Sequence, residues 1–236
     1  MQIVLSLSLL ARMMDPSLTS AQRNNACFEL RGSTEPEVVA TMRKALDDTV
    51  VRACAGTNLW KAGAIAELKD ALTDSDFEIR ALAARELGGF EKPELLTMLT
   101  AAARDPQLLV GINAIEGLSN YRDPVVLPYL LQIAKGGGLV GEAALDRAVT
   151  FHDPRVLETA RALLNNKDVS DKLAAMRVIG VMGDETDLPK LRDIQEKETG
   201  MVSASGRGFG LIPAISLSKA AQTAIDRIEA RVAAAR

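Results

Sequence analysis

Apolar residues return along this chain at helical, not alternating, spacing. Ile79, Leu82, Ala83 and Leu87 fall at i, i+3, i+4 and i+8, which builds one apolar stripe on a helix. The centre of that stripe recurs as Ala26, Ala55, Ala83, Ala114, Ala144, Ala175 and Ala221, at gaps of 29, 28, 31, 30, 31 and 46 residues. Four positions after each stands Leu30, Leu59, Leu87, Leu118, Ala148, Ile179 or Ile225. A packing unit restated about every thirty residues predicts an array of repeats.

Each repeat divides into two helices. Gly88 and Gly89 end the first helix of the third repeat, through the left-handed conformation that glycine adopts readily. Pro36, Pro93, Pro124 and Pro154 mark the first turn of second helices, where a missing N–H costs nothing. Three and six residues beyond the proline, or beyond Glu185 in its place, lie the expected inward positions: Val39, Leu96, Leu127, Leu157 and Leu188, then Met42, Leu99, Leu130, Ala160 and Leu191. Asp15, Asp48, Asp74, Asp105 and Asp168 fall at junctions, where a carboxylate can accept from the free amides of the next helix. The second repeat is shorter, with Trp60 in its tight turn.

The expected class is all-α, a right-handed α-α solenoid of about six helical hairpins with half-units at its ends. The expected organisation is one domain over 1–236: a half-unit at 1–14, six hairpins over 15–198, a flexible loop over 199–211 from Thr199 to Leu211, and a capping helix over 212–236. Asp226, Arg227, Glu229 and Arg231 suit the solvent side of that cap.

Composition narrows the function classes. The chain is 47% hydrophobic and 25% charged, which fits a folded globular protein, and 3% aromatic, which suits small and aliphatic side chains between helices. A formal charge of -3 argues against a phosphate-binding surface and so against nucleic acid as a partner. The apolar start reaches Arg12 well before a membrane span would be complete and has no basic leading region, so neither a span nor an intact signal peptide is expected. The cytoplasm is the default compartment, with an exported form lacking its leader as the alternative. Cys27 and Cys54 fall on first helices of adjacent repeats, and the expectation is two reduced core thiols, with a disulfide as the alternative.

The junction aspartate, the basic residue seven positions before the leucine (Arg23, Arg52, Arg80, Lys172), the alanine between, the glycine turn and the Asp-Pro or Glu-Lys-Pro start of the second helix together resemble the HEAT repeat. The short period makes the chain most similar to HEAT-like repeats of phycobilin lyase subunits, over about residues 15 to 232. Gly111 and Gly141 replace the basic residue in two repeats, which implies a broken Asp–Arg ladder there. The resemblance implies a non-enzymatic scaffold for protein partners, or alternatively an accessory subunit that acts with a partner chain on a bilin-carrying protein.

No catalytic, cofactor or metal residue is expected. A di-iron hydroxylase of this architecture carries repeated His-Glu pairs, whereas this chain has one histidine, His152, expected in a turn. One histidine without a cysteine cluster makes no metal site or triad. Neither GRGFG at 206–210 nor Lys135 before Gly136–Gly138 has the strand and spacing of a phosphate loop. The candidate surface is instead the outward, concave side of second helices. There Met98, Val125 and Tyr129 form an apolar centre, and Glu94, Gln132 and Arg155 complete the expected protein-binding set. Self-association through Met1 to Met14 is a further expectation.

Overall fold

The computed structural model describes residues 2–198, 201–202 and 215–235. The chain forms two compact units, Met1–Val126 and Leu127–Arg236. The first contains α1 (Gln2–Met14), α2 (Ser20–Glu29), α3 (Pro36–Ala45), α4 (Arg52–Lys61), α5 (Ile65–Ala71), α6 (Phe77–Gly88), α7 (Leu96–Ala102) and α8 (Leu108–Leu118). The second contains α9 (Leu127–Ala134), α10 (Gly138–Ala148), α11 (Pro154–Leu163), α12 (Val169–Met182), α13 (Leu188–Lys197) and α14 (Leu217–Ala235). A two-residue antiparallel ladder, Met201–Val202 with Ile215–Ser216, precedes α14. The α-solenoid of helical hairpins expected from the periodicity is what the helices build.

Every alanine of the recurring slot is fully buried, and the residue four positions on is buried in all seven cases. A methyl at that point lets one first helix lie close against the next, while the larger residue a turn later fills the hairpin interior. The same joints use glycine where even a methyl is too large. A Cβ on Gly88 would stand 2.1 Å from the Gly117 Cα, so α6 and α8 meet backbone to backbone. In the second unit the approach is less extreme: a Cβ on Gly180 of α12 would stand 3.2 Å from the Ala224 Cα on α14.

Gly88 and Gly89 therefore serve a purpose other than the expected left-handed terminus. Gly88 lies inside α6 and Gly89 keeps a right-handed φ of -65°, while Glu91 takes the positive φ of the turn. Gly89 is small because the Trp60 indole lies against it: a Cβ there would be 2.7 Å from Nε1. Trp60 belongs to the last turn of α4, ahead of the turn in which the sequence places it.

Among second helices, Met42, Leu99, Leu130, Ala160 and Leu191 are buried as the register requires. The position before them shifts in part. Leu96 and Leu127 are buried, together with Leu95 and Val126 before them, but Val39, Leu157 and Leu188 are only half-buried, and Val38 and Val156 take the inner place of the first two. Pro36 and Pro154 open α-helices directly, whereas Pro93 and Pro124 open 3-10 turns that run on into α7 and α9.

The junction aspartates behave as their chemistry predicts. Asp15, Asp48, Asp74, Asp105 and Asp168 each accept from the amide two residues on, at 2.8 to 3.0 Å. In the first unit Asp48 and Asp105, with Asp76 between them, also join an arginine ladder. Arg23 bonds Asp48, Arg52 bonds Asp76 at 2.9 Å, and Arg80 makes a two-pronged contact with Asp105 at 2.8 and 3.0 Å. The same arginines donate back to the carbonyls of Met13, Leu46 and Asp74, so each rung ties the preceding loop to the following repeat.

The expectation of two reduced thiols is corrected: Cys27 and Cys54 form a disulfide with a Cα–Cα distance of 6.3 Å. Cys27 is one position after the slot alanine of α2, and Cys54 one position before that of α4. Gly56 and Leu82 hold the same two positions at the next joint and also touch, since a Cβ on Gly56 would stand 2.6 Å from Leu82 Cδ2. The lattice of the array therefore brings the two cysteines face to face.

Candidate functional site

In the first unit, α5 and α7 are successive second helices, and a hollow of about 280 Å³ opens where they meet. Leu72, Met98, Ala101 and Ala102 supply apolar lining, and Lys69, Thr73 and Asp105 bring polar atoms. The hollow exists because small residues on α7, Ala101 and Ala102, face α5 where a larger side chain would close the gap. Met98 is half-buried, with a flexible thioether that can reshape to an incoming side chain. Beside this hollow Arg43 on α3 pairs with Asp70 at 2.9 Å and Asp74 at 3.2 Å, which leaves Lys69 as a cation with no ion pair among the described residues.

The sequence-predicted residues divide evenly between the units. Glu94, Met98 and Val125 lie in the first: Glu94 is exposed, and Val125 is 39% exposed in the 3-10 turn Pro124–Val126. Tyr129, Gln132 and Arg155 lie in the second. Tyr129 is half-buried and Gln132 exposed, both on α9. Arg155, at the start of α11, turns back to hold Asp153 through two bonds at 2.8 and 2.9 Å. That guanidinium contact, joined by the Arg155 amide, lowers the Asp153 pKa to about 2 and closes the helix N-terminus.

Sequence reasoning missed Lys69 and Thr73 at the hollow, because the second repeat has no proline from which to count. It also missed the opposite helix face. Phe77 at the start of α6 and Leu108, Leu109 and Ile112 on α8 are 37–49% exposed. The run Leu108–Leu109–Val110 carried the signal: only Val110 can turn inward at a helix start, and it alone is buried.

Several features with the look of chemistry are internal. Gly137 and Gly138 both take positive φ, yet the anion beside them is the chain's own Asp171, which accepts from the Gly138 amide at 2.9 Å and the Asn166 side chain at 2.8 Å. His152 is an exposed left-handed turn residue at φ 51°. Among the described residues, no group of three His, Cys, Asp or Glu could hold a metal ion, and no helix is long and apolar enough to cross a membrane. The GRGFG segment at 206–210, and the predicted loop from Thr199 to Leu211 apart from Met201 and Val202, lie outside the described residues.

A family model for HEAT repeats matches residues 65–144, a span that includes the whole hollow between α5 and α7. No curated protein matches the chain. Among solved structures, human deoxyhypusine hydroxylase in complex with glycerol aligns at 16% identity over 97% of this chain and 98% of that one, with a TM-score of 0.39. An engineered protein aligns at 18% identity over 95% and 96%, with a TM-score of 0.33. Neither likeness is close enough to carry an activity across.

Proposed function

We propose that this chain, with HEAT repeats at its centre, is a non-enzymatic binding module that holds a segment of a partner protein on its second helices. The observation that carries the reading is the α5–α7 hollow. It offers an apolar floor around Met98 and an uncompensated Lys69 beside it, which suits an apolar anchor residue next to a carboxylate. Within the first unit Val125 extends the proposed surface as a further anchor, with Glu94 as a polar contact. A second reading places the partner on the first helices, on the exposed Phe77, Leu108, Leu109 and Ile112.

Site-specific photocrosslinking in the source cells separates the two. A photoreactive residue at position 98 should give one discrete adduct, and the same residue at position 112 should give none. With the adduct identified, Met98→Glu should weaken binding of that segment about 10-fold or more, since a charge then meets an apolar anchor. An adduct from position 112 alone moves the site to α6 and α8. No adduct from either position refutes the binding role.

A further inference from the structure

The Cys27–Cys54 bond sits at a singular place. Of the joints between neighbouring first helices in the first unit, α2 with α4 brings the fewest residues close together, and α6 with α8 the most. Where α6 and α8 interlock through Gly88 and Gly117, no glycine brings α2 and α4 backbone to backbone, and specific polar contacts join the buried slot residues there. Among these are the ion pair of Arg23 with Asp48 in the loop before α4, the Asn24 side chain donating to the Val50 carbonyl at 3.0 Å, and the buried Asn58 side chain, which donates to the Cys27 carbonyl at 2.8 Å; α3 adds its own packing on α4 and α5 and the Arg43 pairs with Asp70 and Asp74. Both cysteines are buried, Cys27 at 0% and Cys54 at 6% exposure, and the Asn58 amide lies 3.4 Å from the Cys27 sulfur.

We infer that this disulfide is a permanent staple holding the N-terminal layer α1–α3 onto the array, and that the chain acquires it where thiols are oxidised, outside a reducing cytosol. A cross-link between residues 27 positions apart restricts the opened state more than the docked one, because α2 cannot then leave α4. Burial decides between staple and switch. An attacking thiolate must approach a sulfur in line with the bond, and here the α2–α4 joint must open first. Reduction then follows undocking of the layer and does not trigger it. Formation balances as two exchanges with a disulfide donor, either a small-molecule disulfide or an oxidase cysteine pair. One cysteine thiolate attacks the donor and releases its first thiol, and the second cysteine thiolate displaces the other. The donor takes up two electrons and the two cysteines lose their thiol protons.

Acid quenching of the source cells, denaturation and alkylation should find neither cysteine labelled, and both labelled after reduction. Labelling of both before reduction overturns the inference. Hydrogen exchange on the oxidised full chain, on the same chain held in dithiothreitol, and on Cys27→Ala/Cys54→Ala supplies the second arm. Amides of α1–α3 should exchange about 100-fold faster without the bond, while those of α6 and α8 keep their rates. Unchanged protection in α1–α3 overturns the staple. Reduction of the native chain at a rate far above the exchange-measured opening of α2 overturns its permanence. The reduced wild type keeps the comparison valid if the double variant does not fold.

Discussion

Replacing Gly88 with alanine tests the central packing claim, that first helices approach as closely as backbone allows. The added Cβ would meet the Cα, carbonyl carbon and oxygen of Gly117 at 2.1, 2.3 and 2.4 Å, against an ordinary contact of 3.4 Å or more. All three atoms are backbone, so no side chain can rotate away, and α6 and α8 must part by more than about 1 Å. A gap of that size forfeits roughly a quarter to a half of each dispersion contact across the joint, where Ala84, Leu87, Ala114 and Leu118 are buried. Overpacking of this kind costs about 3 kcal/mol. Alanine recovers about 1 kcal/mol through its better helix propensity, so the packing term wins and a net loss of about 2 kcal/mol is expected. Urea unfolding followed by fluorescence of the one tryptophan reports on this joint directly, because Trp60 lies against Gly89. Gly117→Ala is the graded control: its Cβ meets the Ala84 oxygen at 2.7 Å and the Gly88 Cα at 3.2 Å, so it should cost less. A Gly88→Ala midpoint that is unchanged, or raised as propensity alone dictates, would refute the close-approach argument.

Two further outcomes follow from charged and polar partners in the first unit. The Arg80 guanidinium holds the Asp105 carboxyl below its ordinary value of 3.8, against the opposing pull of partial burial. Stability from that carboxylate is full above about pH 4 and is lost as pH falls through the lower folded value; Arg80→Met should flatten the melting temperature against pH below pH 4, and an unaltered slope would remove the ladder from the account. Tyr121 is 1% exposed and donates to the Lys92 carbonyl at 2.9 Å, and burial, with Glu94 and Glu91 nearby, pushes its pKa up to about 12. The unfolded chain ionises this tyrosine near pH 10 while the folded chain keeps the proton, so stability should fall as pH rises from 10 to 12. Tyr121→Phe should lose that dependence, at a cost of about 1 kcal/mol near neutrality. An ultraviolet titration in which Tyr121 ionises near pH 10 in the folded chain would contradict it.

How much of the candidate site was legible depended on local reference points. Met98 could be placed because Pro93 supplies a residue from which to count, and it does line the hollow. Lys69 and Thr73 could not, since the second repeat lacks that proline. Arg155 was read as outward, which it is, but its commitment to Asp153 arises from a side-chain rotamer that no spacing records.

By itself the sequence determined the helices, their pairing into hairpins and the slot at which one hairpin meets the next. All of these follow from a period of 3.6 residues within a helix and about thirty between repeats. Turn chemistry was equally local: an aspartate at a junction reaches an amide two residues on regardless of what packs above it. Only the tertiary structure decided what happens across a joint, where residues nearly thirty positions apart meet at a distance set by the smallest side chains present. Cys27 with Cys54 and Gly56 with Leu82 occupy equivalent places, yet one pair is a covalent bond and the other a packing contact. The sequence supplies which side chains stand at these equivalent places, and the separation of the helices, which periodicity does not encode, decides that each pair touches.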